Sequence, residues 1–265
     1  MTLDISPTFT WNETVWNPSM LGPALWLDAA DASTITESGG AVSEWRDKSG
    51  NNYHATQANP GNRPVYNSSG FNSKGSINFA RSSIHYLATS SITGNGISNA
   101  SLTAIQVIKP GTGWSGGSFM SSIGTRDLGG SWWSFIRNSN NNEIGFHGQA
   151  QYWSGSYLTT NGAILIDVVS LGTTHNAWRD GTQIGTVNRS IGPFTFNNNV
   201  PLYIGAGSKV NTGGAYLGDI MEVVLVPSAI STDIRQRIEG YLAHKWGIEA
   251  SLPADHPYKN YGPRP

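Results

Sequence analysis

Asp219 and Glu222 stand three residues apart in the segment Gly218–Val226. Acidic pairs invite one chemistry first, the hydrolysis of a glycosidic bond. It needs two carboxyl groups about 5–5.5 Å apart for retention or about 6.5–9.5 Å apart for inversion. Residues three apart in a regular strand face opposite ways, so this pair converges only if a bulge intervenes. Glu143 is alone on its strand, and Asp167 interrupts the apolar run Ile164–Leu171 with no carboxylate near it in sequence. No Glu-x-Asp-x-x-Glu pattern, His-Glu-x-x-His or Walker loop is present. His54, His85, His147, His175, His244 and His256 show no metal-ligand spacing, and there is no cysteine to act as nucleophile or thiolate ligand. The reading is therefore of a chain that makes contacts and breaks no bond.

Contact chemistry concentrates between Trp114 and Tyr157, where aromatic residues stand among Gly, Ser and Asn. Sugar rings offer apolar C–H faces to aromatic rings, while amides and guanidinium groups bond their hydroxyls. Trp114, Trp132, Trp133, Arg137, Gln149, Tyr152 and Trp153 are the candidate glycan or partner contacts. On the strand Ser131–Arg137, Trp133, Phe135 and Arg137 alternate with Trp132, Ser134 and Ile136. Both faces of a half-exposed antiparallel strand cannot be core. Glycan contact, subunit interface and core all remain open for this segment, because aromatic anchors are enriched at protein interfaces too.

The elements that must position these residues are short. Apolar or alternating runs at Ala24–Asp28, Ala41–Arg46, Leu102–Ile108, Ile164–Leu171 and Leu217–Val226 are separated by polar turns. Asp180-Gly181 is a two-residue hairpin signal between Ala177–Arg179 and Thr182–Val187. One helix is expected over about 230–246. Ser231 or Ser228 caps it, Asp233 suits the positive end of its dipole, and Gly247 ends it. Ile230, Ile234, Ile238, Leu242 and Trp246 form its apolar stripe. The last residues, about 248–265, carry Pro253, Pro257, Pro263 and Pro265 and are expected to lie extended. Residues 1–20 read as an arm. Its Trp11 and Trp16 either pack back on the same domain or, in the sharper reading, dock on a neighbouring subunit. Residues 21–265 read as one jelly-roll domain. Many strands with one late helix indicate an all-β jelly-roll sandwich.

Composition narrows the function classes. Charged residues are 12% of the 265, against roughly 25% in an average soluble chain. The net charge is −1, with no clustered positive charge for nucleic acid. No apolar run approaches the length of a membrane span. The first 20 residues have neither a basic start nor an apolar core, so no Sec signal is expected there. The body is nonetheless rich in Gly, Ser, Thr and Asn, like proteins that work outside cells.

The chain resembles the concanavalin A-like, laminin-G-like jelly-roll superfamily, and within it the lectin-like domains of bacteriophage structural proteins and bacterial surface proteins. The resemblance rests on Leu25-Trp26-Leu27-Asp28-Ala29 with Asp31, then Trp45-Arg46-Asp47-Lys48-Ser49-Gly50, Ile77-Asn78-Phe79 with Tyr86-Leu87, and Trp178-Arg179-Asp180-Gly181. It continues in Gly218-Asp219-Ile220-Met221-Glu222-Val223, in Ile238 to Gly247, and in Leu252-Pro253 with His256-Pro257-Tyr258. It implies a virion surface protein that is not an enzyme, a decoration of the head or a component of the tail or fibre. Such a protein binds other virion proteins or copies of itself, and host glycans, without nucleic acid or membrane insertion. The alternatives are an extracellular bacterial adhesin or carbohydrate-binding module, and a polysaccharide hydrolase. The glucanases of the superfamily place their carboxylates two or four residues apart, a spacing that Asp219 and Glu222 do not have. Some laminin-G-like domains bind calcium, which makes Asp28 and Asp31 candidate ligands. Calcium takes about 6–8 oxygens, and no Asp-rich stretch supplies them, so no cofactor is expected and both residues read first as turn caps.

Overall fold

A computed structural model describes residues 16–92, 101–112, 119–125, 134–138, 143–146, 151–153, 162–188, 201–207 and 214–264. Among the described residues there are strands β1 (Leu25–Asp28), β2 (Ile35–Ser38), β3 (Ala41–Trp45), β4 (Ala55–Thr56), β5 (Val65–Phe71), β6 (Lys74–Phe79), β7 (Leu87–Ser91), β8 (Ser101–Pro110) and β9 (Phe119–Thr125). They continue as β10 (Ser134–Asn138), β11 (Glu143–Phe146), β12 (Gln151–Trp153), β13 (Ile164–Leu171), β14 (Thr174–Arg179), β15 (Thr182–Asn188), β16 (Pro201–Ile204) and β17 (Gly218–Val226), before helix α1 (Thr232–Trp246).

Every pairing is antiparallel, and the strands form a sandwich. One layer runs β15–β14–β13–β8–β17, with β1 and β6 sharing the far edge of β17 and β5 beyond β6. The other runs β3–β4–β7–β16–β9–β10–β11–β12, with β2 outside β3. The bridge Ala41↔Val65 joins the two.

The apolar runs follow from where each face goes. On β8, Leu102, Ala104 and Ile108 enter the core between the layers, while Ile105 and Val107 enter a second core beneath α1. β13 divides the same way, with Ile164, Ile166 and Val168 inward and Leu165 outward. Strands buried on both faces read as continuous hydrophobic runs, and these do. Trp45 and Trp246 are fully buried.

The helix is capped as its sequence demands. Ser231 Oγ accepts from the Ile234 N–H, and Gly247 takes a left-handed conformation at φ 66°. Ile238, Leu242 and Trp246 press into the second core. The hairpin at Asp180 and Gly181 has positive φ at both residues (49° and 78°), the geometry that Asp-Gly favours. The C-terminal segment is tied down more firmly than its prolines suggest. Lys259 Nζ donates to the carbonyls of Glu249, Ala250 and Leu252. Tyr258 lies on Gly240, where any Cβ would come within 2.3 Å of it. Among the described residues no helix is long and apolar enough to cross a membrane.

Candidate functional site

The acidic residues resolve into two networks on the helix side of the sandwich. In the first, the bulge between Ile220 and Glu222 is present, but it does not open a hydrolytic pair. Glu222 is fully buried under α1. Its Oε1 accepts from Trp26 Nε1 (2.8 Å), and its Oε2 from Trp246 Nε1 (2.7 Å) and Lys245 Nζ (2.6 Å). Asp219 accepts instead from Ser76 Oγ and Asn78 Nδ2, both at 3.2 Å. Burial pushes the Glu222 carboxyl up, and the Lys245 ammonium draws it back down.

The same ammonium lies 2.7 Å from Asp28 Oδ1, and Lys48 Nζ lies 2.9 Å from both Asp28 Oδ2 and Asp31 Oδ2. This corrects the calcium alternative. Two lysine ammoniums stand where a cation would be coordinated, and a divalent ion beside them would be repelled. The residues do not fit a calcium site. Among the described residues no group of three or more His, Asp or Glu side chains could hold a metal ion. Asp31 caps a short turn through the Ser33 N–H and Oγ, and Asp28 Oδ1 accepts from the Ala30 N–H. The Ser33 hydroxyl and Lys48 hold the Asp31 carboxyl below its ordinary range.

The second network was not anticipated as a unit. Asp167 and Glu239 are both fully buried, with Arg235 and His256 nearly so. Arg235 Nη1 pairs with Glu239 Oε1 and lies 3.8 Å from Asp167 Oδ2. The Arg235 guanidinium also stacks over Trp178 at 4.2 Å. His256 Nδ1 accepts from the Tyr258 N–H (3.2 Å), which leaves Nε2 to carry the proton it donates to Glu239 Oε2 (3.0 Å). Neither Asp167 oxygen has an N–H or O–H donor. Burial, and then the Glu239 charge, raise the Asp167 carboxyl well above the carboxylate range. A protonated Asp167 can donate to Glu239. The sequence signals were an acid inside a doubly buried strand and an i,i+4 Arg–Glu pair beside an apolar stripe.

The sign of the pH effect follows. Asp167 takes up a proton on folding, so above the ordinary carboxylate range (about pH 4) the folded state binds more protons than the unfolded one. Its contribution is fully present below that range and is lost as pH rises through the elevated value. Asp167→Asn should remove this slope and raise stability at neutral pH by about 1–3 kcal/mol, measured by denaturant titration from pH 5 to pH 9. A fall in stability at every pH would contradict this account of the network.

Of the candidate contact residues, Trp114, Trp132, Trp133 and Gln149 lie outside the described residues. Arg137 falls on β10, and Tyr152 and Trp153 on β12. Strand register brings Arg137 opposite Ile144, and Ile144 opposite Trp153. Phe135, Phe146 and Gln151 make the next row, two residues along and on the same face. Tyr152 pairs with Gly145, and Gly145 with Ile136, in the alternate row. The sheet thus joins Arg137 to Trp153 and separates Tyr152 from both. Glu143 pairs with Asn138 at the end of β10. Trp11 lies outside the described residues. Trp16, for which packing back and docking on a neighbour were the two readings, is 3% exposed and packs edge-on against Tyr241 of α1 at 5.9 Å. Its apolar surface is covered by its own chain, which leaves none to dock on a neighbour.

The class defined by this architecture is an all-β sandwich with, among the described residues, a single α-helix near the C-terminal end. No protein-family model matches the sequence, and no curated protein matches it. Solved structures do share its fold. Domain 4 of the extracellular GH43 arabinanase AbnA from Geobacillus stearothermophilus, solved in complex with arabinotriose, gives a TM-score of 0.56 at 12% identity, over 79% of this chain and 94% of that domain. The sialidase of Trypanosoma rangeli gives 0.57 at 12% identity, over 83% of this chain and 32% of the sialidase. The NanB sialidase of Streptococcus pneumoniae gives 0.46 at 18% identity, over 60% of this chain and 26% of that enzyme. The chain therefore spans about a third of one sialidase and about a quarter of the other.

Proposed function

We propose that this chain is a carbohydrate-binding sandwich that holds glycans without cleaving them. The observation that carries the reading is the pair of rows Arg137–Ile144–Trp153 and Phe135–Phe146–Gln151. These rows place a guanidinium residue and an amide residue among aromatic ones, the combination that binds sugar hydroxyls and stacks on sugar faces. The likeness to an arabinanase domain solved with arabinotriose supports a saccharide ligand. The carboxylates Asp28, Asp167, Glu222 and Glu239 are committed to buried networks, which supports the non-catalytic part.

The setting we propose is the surface of a bacteriophage particle, where the chain would contact other virion proteins or copies of itself. Its Gly-, Ser-, Thr- and Asn-rich composition and its resemblance to phage lectin-like domains support this. Binding would be weak per site and multiplied by the many copies on one particle. Mass spectrometry of purified particles tests the setting, and absence of the chain from them would remove it.

Single substitutions test the site. Arg137→Ala and Trp153→Ala should each weaken binding to an arabino-oligosaccharide or sialyl-oligosaccharide by about tenfold or more, while the melting temperature stays within a few degrees. Tyr152→Ala, in the alternate register row, should leave affinity within about twofold of the parent. Unchanged affinity in the first two variants, or collapse of their melting transitions, would overturn this placement.

A further inference from the structure

The network around Glu222 has the parts of a reaction as well as those of an ion pair. Lys245 Nζ lies 2.7 Å from Asp28 Oδ1, at the junction of the last turn of α1 with β1. Lys48 Nζ sits 2.9 Å from the other oxygen of the same carboxyl, Oδ2. Glu222 Oε2 lies 2.6 Å from Lys245 Nζ, and two indole N–H groups fix its orientation. The groups facing the site are Asp28, Asp31, Lys48, Glu222, Tyr241 and Lys245. Aromatic residues wall it: Lys245 Nζ lies 5.5 Å from the Tyr241 ring and 5.4 Å from that of Trp246, and Lys48 Nζ lies 4.5 Å from Trp26.

We infer that Lys245 and Asp28 form an intramolecular isopeptide bond, with Glu222 as the proton relay and Lys48 as the cation that stabilises the oxyanion. The ammonium of Lys245 gives one proton to Glu222, and the freed amine attacks Cγ of Asp28. Negative charge gathers on Oδ2, against Lys48. Oδ1 leaves as water, taking the proton from Glu222 and a second from the attacking nitrogen. One C–N bond forms and one C–O bond breaks. The ammonium and carboxylate become an amide and a water molecule, so charge balances without an external reagent. Placing a charged general acid–base at a fixed, water-poor position is what makes such a proton transfer efficient. The raised carboxyl of Glu222 suits it to hold that proton in passing. Lys48 stays paired with Asp31, and the Glu222 carboxylate keeps its two indole N–H donors. The product would fasten the C-terminal end of α1 to β1 covalently, closing a loop over most of the chain.

Intact mass of the denatured full chain reads this directly. The parent protein should be lighter than its sequence mass by one water molecule, and a protease digest should contain a branched peptide joining Asp28 to Lys245. Lys245→Arg keeps the positive charge but has no amine that can become this amide, and should restore the full sequence mass. Glu222→Gln should leave most of the chain unlinked. A parent protein at its full sequence mass after prolonged incubation would overturn the inference. So would a dehydrated chain whose digest holds only linear peptides, the mark of a local succinimide at Asp28. The parent measurement decides the matter even if a variant fails to fold.

Discussion

Measured against the unlinked chain, replacing Glu222 with alanine should lower the stability of the sandwich by about 3–5 kcal/mol, the cost of breaking a buried ion pair from one side. The reason is the company it keeps. Its removal leaves the Lys245 ammonium with Asp28 alone and strands the Trp26 and Trp246 indole N–H groups without an acceptor. Each stranded buried donor carries its own desolvation penalty. Glu222→Gln keeps an acceptor oxygen and should lose less. The comparison pair is Glu44 with Arg46, whose side chains are 27% and 54% exposed. Water and salt screen that pair, so Glu44→Gln should cost about 0.5 kcal/mol or less. Denaturant titration of the three variants, followed by tryptophan fluorescence, measures all of this. Equal losses for Glu222→Ala and Glu44→Gln would show that burial does not set the strength of these pairs.

Asp47→Ala should cost about 3 kcal/mol. Asp47 organises the loop that leads from β3 to β4. Its Oδ1 accepts from the N–H groups of Trp26 (3.0 Å) and Ser49 (2.9 Å), and its Oδ2 from the Tyr53 N–H (3.0 Å) and Ser49 Oγ (2.7 Å). Alanine leaves the three backbone donors unmet, one of them on β1 itself, while the Ser49 hydroxyl keeps the Ala24 carbonyl. Asp47→Asn retains Oδ1 but turns an NH2 group toward the Tyr53 N–H, so it should fall between the parent and Asp47→Ala. Hydrogen exchange at the Trp26 amide should accelerate in both variants, more in the alanine. An unchanged exchange rate there would contradict the role given to this carboxylate.

Asp47 also shows how far the sequence could be read. A short carboxylate before Lys-Ser-Gly reads as turn chemistry because its partners at Ser49 and Tyr53 are close in the chain. Its bond to Trp26 spans 21 residues and leaves no local pattern. The doubly buried strands β8, β13 and β17 announce themselves as apolar runs, and α1 announces itself through Ser231, Asp233 and Gly247. β5 does not, because Val65–Phe71 is mostly exposed and polar and is a strand through its pairing with β6. The same contrast governs the site. Asp167 stood out as an acid among apolar residues, whereas its neighbours Arg235, Glu239 and His256 come from the helix and the tail, which folding alone brings near. The lysines that answer Asp28 are likewise distant in sequence, and for that reason calcium stood as an alternative to turn capping there. Alternation alone could pair Phe135 with Arg137, but the register across β10, β11 and β12 was needed to put Arg137 and Trp153 in one row and Tyr152 in the next.

The most direct test of the central claim follows binding and cleavage in the same sample. The full chain is titrated calorimetrically with arabino-oligosaccharides and with sialyl-oligosaccharides, and each mixture is then separated chromatographically. The account predicts saturable binding to at least one of these glycans, with the glycan recovered at its original length. Shortened products above the protein-free blank, or no saturable binding to any glycan offered, would contradict it.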